Sequence, residues 1–140
     1  MTKKLNLNLA RQQKLHFVFF DSLTYKNHLL KNNLIGLKVR LTTCIKKKQE
    51  VFLKLLILKL LKKISLKKVK VFFNFHCFYT QTKLPLESRM GKGKGEIITL
   101  FGFYQKGYIL MNFKNLSIWQ AKFLQIHLNK KKIVKLQLVI

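Results

Sequence analysis

The stretch Arg89-Met90-Gly91-Lys92-Gly93-Lys94-Gly95 carries the densest chemical signal in this sequence. Three of the six glycines alternate here with two lysines, behind an arginine and just after the only proline, Pro85. Alternating glycines let a backbone turn tightly, reach positive φ and come close to another surface, while the intervening lysines meet negative charge. A phosphate backbone is the partner that such a segment fits. Taken locally, the same pattern also fits a solvated, flexible basic tract. Two nucleotide-binding loops do not fit. A phosphate-binding loop of the G-x-x-x-x-G-K-[S/T] type must run into a helix, whereas Glu96-Ile97-Ile98-Thr99-Leu100 reads as a strand. The dinucleotide fingerprint G-x-G-x-x-G precedes a helix, and here G-x-G-x-G precedes that strand.

Other reactive side chains are few. The acids are Asp21, Glu50, Glu87 and Glu96, and the last two flank the basic tract, where neutralising or capping roles are natural. There is no general acid–base pair, nucleophile elbow or metal cluster, so the chain reads as no enzyme and calls for no cofactor or metal. Cys44 and Cys77 lie far apart without C-x-x-C spacing, which favours inert reduced thiols. His76 beside Cys77 could suggest zinc, but both sit in the aromatic run Phe75 to Tyr79, where ordinary packing is expected.

The elements that must position the basic tract follow from periodicity. Gly36 to Leu41 reads as a short strand, and Thr42 or Thr43 can cap a helix from Cys44 to Ile64, a span without Gly or Pro. On that helix Leu53, Leu56, Ile57, Leu60 and Ile64 share one face and Lys48, Lys59 and Lys62 the other, with Val51, Leu55 and Leu58 intruding on the lysine side. The pattern fits a core helix with a solvated or RNA-facing basic edge, and also a helix lying on a membrane surface. Lys54 and Lys59 exclude a conventional membrane span.

Val69 to Tyr79 reads as a strand and Thr80 to Glu87 as the loop leading into the glycine tract. Glu96 to Tyr104 and Tyr108 to Phe113 read as strands around a short hairpin loop with Gly107 at its left-handed position. Asn115 or Ser117 can cap a second helix from Ile118 to about Leu128, with one stripe of Trp119, Phe123 and Ile126 and an opposite one of Ala121, Leu124 and Leu128. Trp119 is expected to anchor the core rather than to stack on a base. Alternation over Lys132 to Ile140 gives a last strand. Residues 1–35 read as an irregular basic and apolar arm, and 36–140 as one domain.

With 49% hydrophobic and 12% aromatic residues in 140, this chain can build a core that buries roughly two-thirds of its unfolded surface. Against that core stand 29 basic residues and a net charge of +25. Such a domain repels itself unless a polyanion neutralises it, nucleic acid being the first candidate and an anionic membrane the second. Lysine, asparagine, isoleucine and phenylalanine have A/T-rich codons, so base-composition bias in a small genome makes any single lysine weak evidence. Arg11, Arg40 and Arg89 stand against that bias.

Pro85-Leu86-Glu87-Ser88-Arg89-Met90-Gly91-Lys92-Gly93-Lys94-Gly95 resembles the K-P-L-x-x-R-M-G-K-G-K-G signature of the L-sixteen family of large-subunit ribosomal proteins, in its bacterial and organellar branch. Leu84 stands where that family has its first lysine. Gln105-Lys106-Gly107 resembles the family's Q-P-G turn, with Lys106 replacing proline, and Gly107-Tyr108-Ile109-Leu110 its G-x-[V/I]-L strand. Gly36-Leu37-Lys38 and Arg40-Leu41-Thr42 are similar to its G-L-K segment and R-L-T helix start. The resemblance is strongest over 83–115 and absent before 36, so contacts of the family's N-terminal arm do not carry over.

The resemblance implies an α+β fold, an α/β sandwich with two helices packed on a mixed, mostly antiparallel sheet and a projecting basic glycine loop. It implies binding of large-subunit rRNA near the peptidyl transferase centre and the aminoacyl-tRNA site, with tRNA as a transient partner and other ribosomal proteins as neighbours. No small-molecule substrate and no membrane insertion are expected. The expected RNA-binding residues are Arg89, Met90, Gly91, Lys92, Gly93, Lys94 and Gly95, then Arg40 and Lys38. Strong codon bias and the lack of an evident presequence point to a mitochondrial ribosome and an organelle-encoded chain in the matrix. The alternative is a peripheral membrane-surface protein using the helix 44–64.

Overall fold

A computed structural model describes residues 14, 17–30, 34–64, 69–87, 91 and 93–140. Seven strands and two helices follow in the order β1 (Ile35–Val39), β2 (Thr43–Lys46), α1 (Lys47–Ile64), β3 (Lys70–Phe73), β4 (Tyr79–Lys83), β5 (Glu96–Tyr104), β6 (Ile109–Lys114), α2 (Ile118–Lys130) and β7 (Leu136–Val139). The expected α+β fold with two packed helices is present. Its strands form two sheets, β3-β6-β1-β7 and β2-β5-β4, and every pairing between named strands is antiparallel. The parallel component is an isolated bridge, Leu23 to Lys106.

Helix α1 starts at Lys47, later than Cys44, because Thr43–Lys46 pair with β5 instead. The expected threonine cap is therefore absent: Thr43 lies in β2, and the Thr42 hydroxyl donates to Asp21. Leu53, Ile57 and Leu61, at successive turns, are the buried centre of α1, and Leu56, Leu60 and Ile64 are half-buried beside them. Each fully buried aliphatic side chain contributes about 1.5–3 kcal/mol.

Helix α2 is capped by Ser117, whose hydroxyl accepts from the Gln120 N–H while the Gln120 side chain accepts from the Ser117 N–H. The Gln120 amide also donates to the Ile64 carbonyl, so one side chain serves the start of α2 and the end of α1. Ala121, Leu124 and Leu128 are buried, and Asn129 brackets the backbone of Leu136 with two hydrogen bonds that dock β7. Trp119, expected in the core, points outward and is 79% exposed. The stripe of small and aliphatic residues fits the close approach to the sheet better than the bulky one.

Two other expectations change. The run Val69 to Tyr79 is not one strand: β3 ends at Phe73, and β4 begins at Tyr79 in the other sheet and extends to Lys83, into the expected loop. The hydroxyls of Tyr104 and Tyr108 secure this crossover. Tyr104 accepts from the His76 N–H at 2.8 Å and donates to its carbonyl at 3.1 Å, and Tyr108 donates to the Asn74 carbonyl at 2.9 Å. Gln105-Lys106-Gly107 likewise does not close a hairpin, since β5 and β6 lie in different sheets. It is a tight turn, with Gly107 at φ +91°, that carries the chain from one sheet to the other. The last strand is confined to Leu136–Val139.

In the N-terminal segment, residues 17–30 carry no helix or extended strand; Phe17 packs on Tyr79, Phe101 and Phe103, and Phe19 and Phe20 pack on Phe103.

Candidate nucleic-acid interface

Strands β4 and β5 are neighbours paired from Tyr79 opposite Phe101 to Lys83 opposite Glu96. The glycine tract is thus the connection closing a β-hairpin at one end of the three-stranded sheet. Gly91 and Gly93 have φ of +98° and +79°, and open space surrounds the position a Cβ would take at each. Both glycines are needed for backbone conformation rather than for room. Gly95 is needed for room: a Cβ there would stand 2.3 Å from the Lys83 carbonyl oxygen. The chain therefore rejoins β5 through a neck in which Gly95 packs on Lys83, and Gly91 and Gly93 are left-handed.

The Lys94 ammonium donates to the Lys14 carbonyl at 3.1 Å and the Lys14 ammonium to the Lys94 carbonyl at 3.3 Å, an exchange that ties the N-terminal segment to the neck. Arg89, Met90 and Lys92 lie outside the described residues. Beside the neck, Phe17, Phe19, Phe101, Lys46, Gln81 and Lys94 line an open groove of about 490 Å³. No pattern in the sequence marks this groove, because its walls come from four separate segments.

Arg40 and Lys38 are not near the tract. Thr43 pairs with Tyr104, so the chain just before it lies at the end of β5 opposite to Gly95, roughly 30 Å away at about 3.3 Å per residue. Arg40 is exposed and lines a second groove with Gln125, Asn129 and Lys135. Lys38 is half-buried inside the four-stranded sheet, between Ile109 and Gln137. Among the described residues, the expected RNA-binding positions Lys94 and Gly95 therefore lie at one end of β5, and Arg40 lies toward the other.

His76 and Cys77 do not converge. The His76 ring meets the Tyr108 hydroxyl at 3.2 Å, and burial pushes its pKa down. The Cys77 thiol donates to the Ile45 carbonyl, and burial together with the nearby Glu50 carboxylate pushes it up to about 12. Among the described residues no three His, Cys, Asp or Glu side chains gather as a metal site would require.

Glu50 is a buried charge on the core side of α1, only 2% exposed, and sequence reasoning did not single it out. Lys47 and Lys54, one turn before and after it, donate at 2.8 and 2.5 Å. Burial alone would raise its pKa, but the hydrogen bonds and charges of Lys47 and Lys54 outweigh burial and hold the carboxyl at about 2, below its ordinary 4.5. A depressed folded pKa means that this stabilisation is present above pH 4.5 and is lost as pH falls toward 2. Urea unfolding at pH 3 should accordingly show a loss of about 2 kcal/mol relative to pH 7. Glu50→Gln should remove that part of the pH dependence, and an unchanged slope in the variant would rule out the ion triad as its source.

A family model described as ribosomal protein L16p/L10e matches residues 5–132. A large ribosomal subunit protein, uL16m, from Chondrus crispus is 35% identical over 131 residues, covering 90% of this chain and 95% of the relative.

Proposed function

This chain belongs to the ribosomal protein L16p/L10e family, and from that we infer that it is a structural constituent of the large ribosomal subunit, in mitochondria. The observation that carries this reading is the family match over 5–132, nearly the whole chain. In this reading the protein binds large-subunit rRNA near the peptidyl transferase centre and the aminoacyl-tRNA site and helps to position tRNA, without an active site of its own. It works in the matrix, from an organelle gene, as one domain over 36–140 with an N-terminal arm.

The roles of single residues follow from their chemistry. Gly91 and Gly93 bring backbone N–H groups close to a curved phosphate backbone where side chains would clash. Arg89 makes a planar, bidentate phosphate contact that lysine cannot, and Lys92 and Lys94 add point charges, beside Met90. Arg40 and Lys38 serve a second RNA segment at the far end of β5.

A membrane surface is the competing partner that one feature also fits, the exposed Val51, Phe52, Leu55 and Leu58 on α1. Among the described residues no helix is long and apolar enough to cross a bilayer. Sedimentation separates the two partners. The chain should pellet with large ribosomal subunits and be released only at high salt. Pelleting with phosphatidylserine vesicles but not with ribosomes would reverse the reading.

A further inference from the structure

The outward face of α2 is unused by the contacts described so far. Trp119 is 79% exposed, Ile126 55% and Phe123 41%. With Lys122, His127 and Lys130 they recur at i, i+3, i+4, i+7, i+8 and i+11, which places all six on one stripe roughly 17 Å long. Within it the Lys122 ammonium stands 4.9 Å from the centre of the Trp119 ring, and the Phe123 and His127 rings are 3.9 Å apart. Rings and cations therefore alternate along an exposed helix whose other side is fixed to the sheet.

We propose that this stripe is a stacking platform for unpaired rRNA nucleotides, with Trp119 taking a base and Lys122 and Lys130 the flanking phosphates. Two observations favour RNA over a protein neighbour. No acidic residue occurs from Ile97 to Ile140, a span with seven lysines, so an anionic partner is the complementary one for the stripe. The stripe also offers flat rings beside ammonium groups, and a nucleotide joins a flat base to a phosphate in the same unit. A paired helix would meet only the charges, because its bases are stacked inside.

The proposal rests on the rRNA reading above, and the test keeps the two apart. Trp119 is the chain's one tryptophan, so emission excited at the red edge, where tyrosine does not absorb, reports on this ring alone. The full chain is titrated at fixed salt with single-stranded oligoadenylate and with an RNA duplex of equal length. Oligoadenylate should quench the emission and shield the ring from acrylamide, whereas the duplex should bind without doing so. Trp119→Ala should weaken oligoadenylate binding about tenfold and leave duplex binding and the thermal midpoint unchanged, with Trp119→Phe recovering most of the loss. Equal quenching by both RNAs, or equal oligoadenylate affinity in wild type and Trp119→Ala, would overturn the platform while leaving the rRNA reading standing. Failure of the wild type to bind either RNA would remove both. A photo-crosslinker at position 119 in assembled large subunits should attach to rRNA, and attachment to a protein would assign the stripe to a protein neighbour instead.

Discussion

Ile57→Lys is expected to abolish the folded state. Ile57 is fully buried at the centre of α1, packed in the core with Leu53 and Leu61. The substitution forfeits roughly 1.5–3 kcal/mol of apolar burial and places an ammonium where no described acid reaches it, Glu50 being already paired with Lys47 and Lys54. Together these costs are comparable with the whole stability of a typical domain, about 5–15 kcal/mol. Leu58→Lys, one position on but 44% exposed, supplies the control and should change stability by no more than about 0.5 kcal/mol. Circular dichroism and protease resistance read both variants, and a soluble, protease-resistant Ile57→Lys protein would contradict the facing of α1.

Combined replacement of Arg89, Lys92 and Lys94 by alanine should have the opposite profile, an intact fold with impaired function. Gly95, packed on Lys83, keeps the neck of the hairpin, and Lys94, the described member of the three, lies outside the core. Each cation that neutralises an rRNA phosphate releases about one counterion, so the triple variant should flatten the dependence of log affinity on log salt by about 2–3. Near physiological salt this corresponds to a loss on the order of tenfold or more, together with slower tRNA accommodation or incomplete subunit assembly. Wild-type translation and assembly from ribosomes carrying the variant would remove the tract from the tRNA-facing role.

What the sequence made legible was local. Leu53 and Ile57 on the inward face of α1, the Ser117 cap and the left-handed Gly107 are each specified by residues within a few positions of one another, and they stand as expected, although the buried face of α1 turns to take in Leu61 and Glu50. Sheet membership was not legible. Tyr104 ends β5 and Tyr108, four positions on, directly precedes β6 of the other sheet, yet both hydroxyls hold a crossover about 30 residues earlier in the chain. Periodicity says that a segment is extended but not which strand it meets. For α2 two apolar stripes were visible, and the choice between them depended on how near the sheet comes, which favours Ala121 over Trp119. Glu50 went unnoticed because a carboxylate on a helix flanked by lysines looks like any surface ion pair until its burial is known.

The position of β1 has a further consequence, for synthesis. Strand β1 lies inside the four-stranded sheet, with β6 on one edge and β7 on the other, so Ile35 pairs with Phe113 and Gly36 with Val139. A nascent chain emerging in order presents β1 with both edges bare until its partners, more than 70 residues later, have been made. The central sheet therefore cannot close before β7 has emerged. Folding must follow release of the segment through Val139, and until then the growing chain is a basic, apolar polymer in need of an anionic or chaperoning companion.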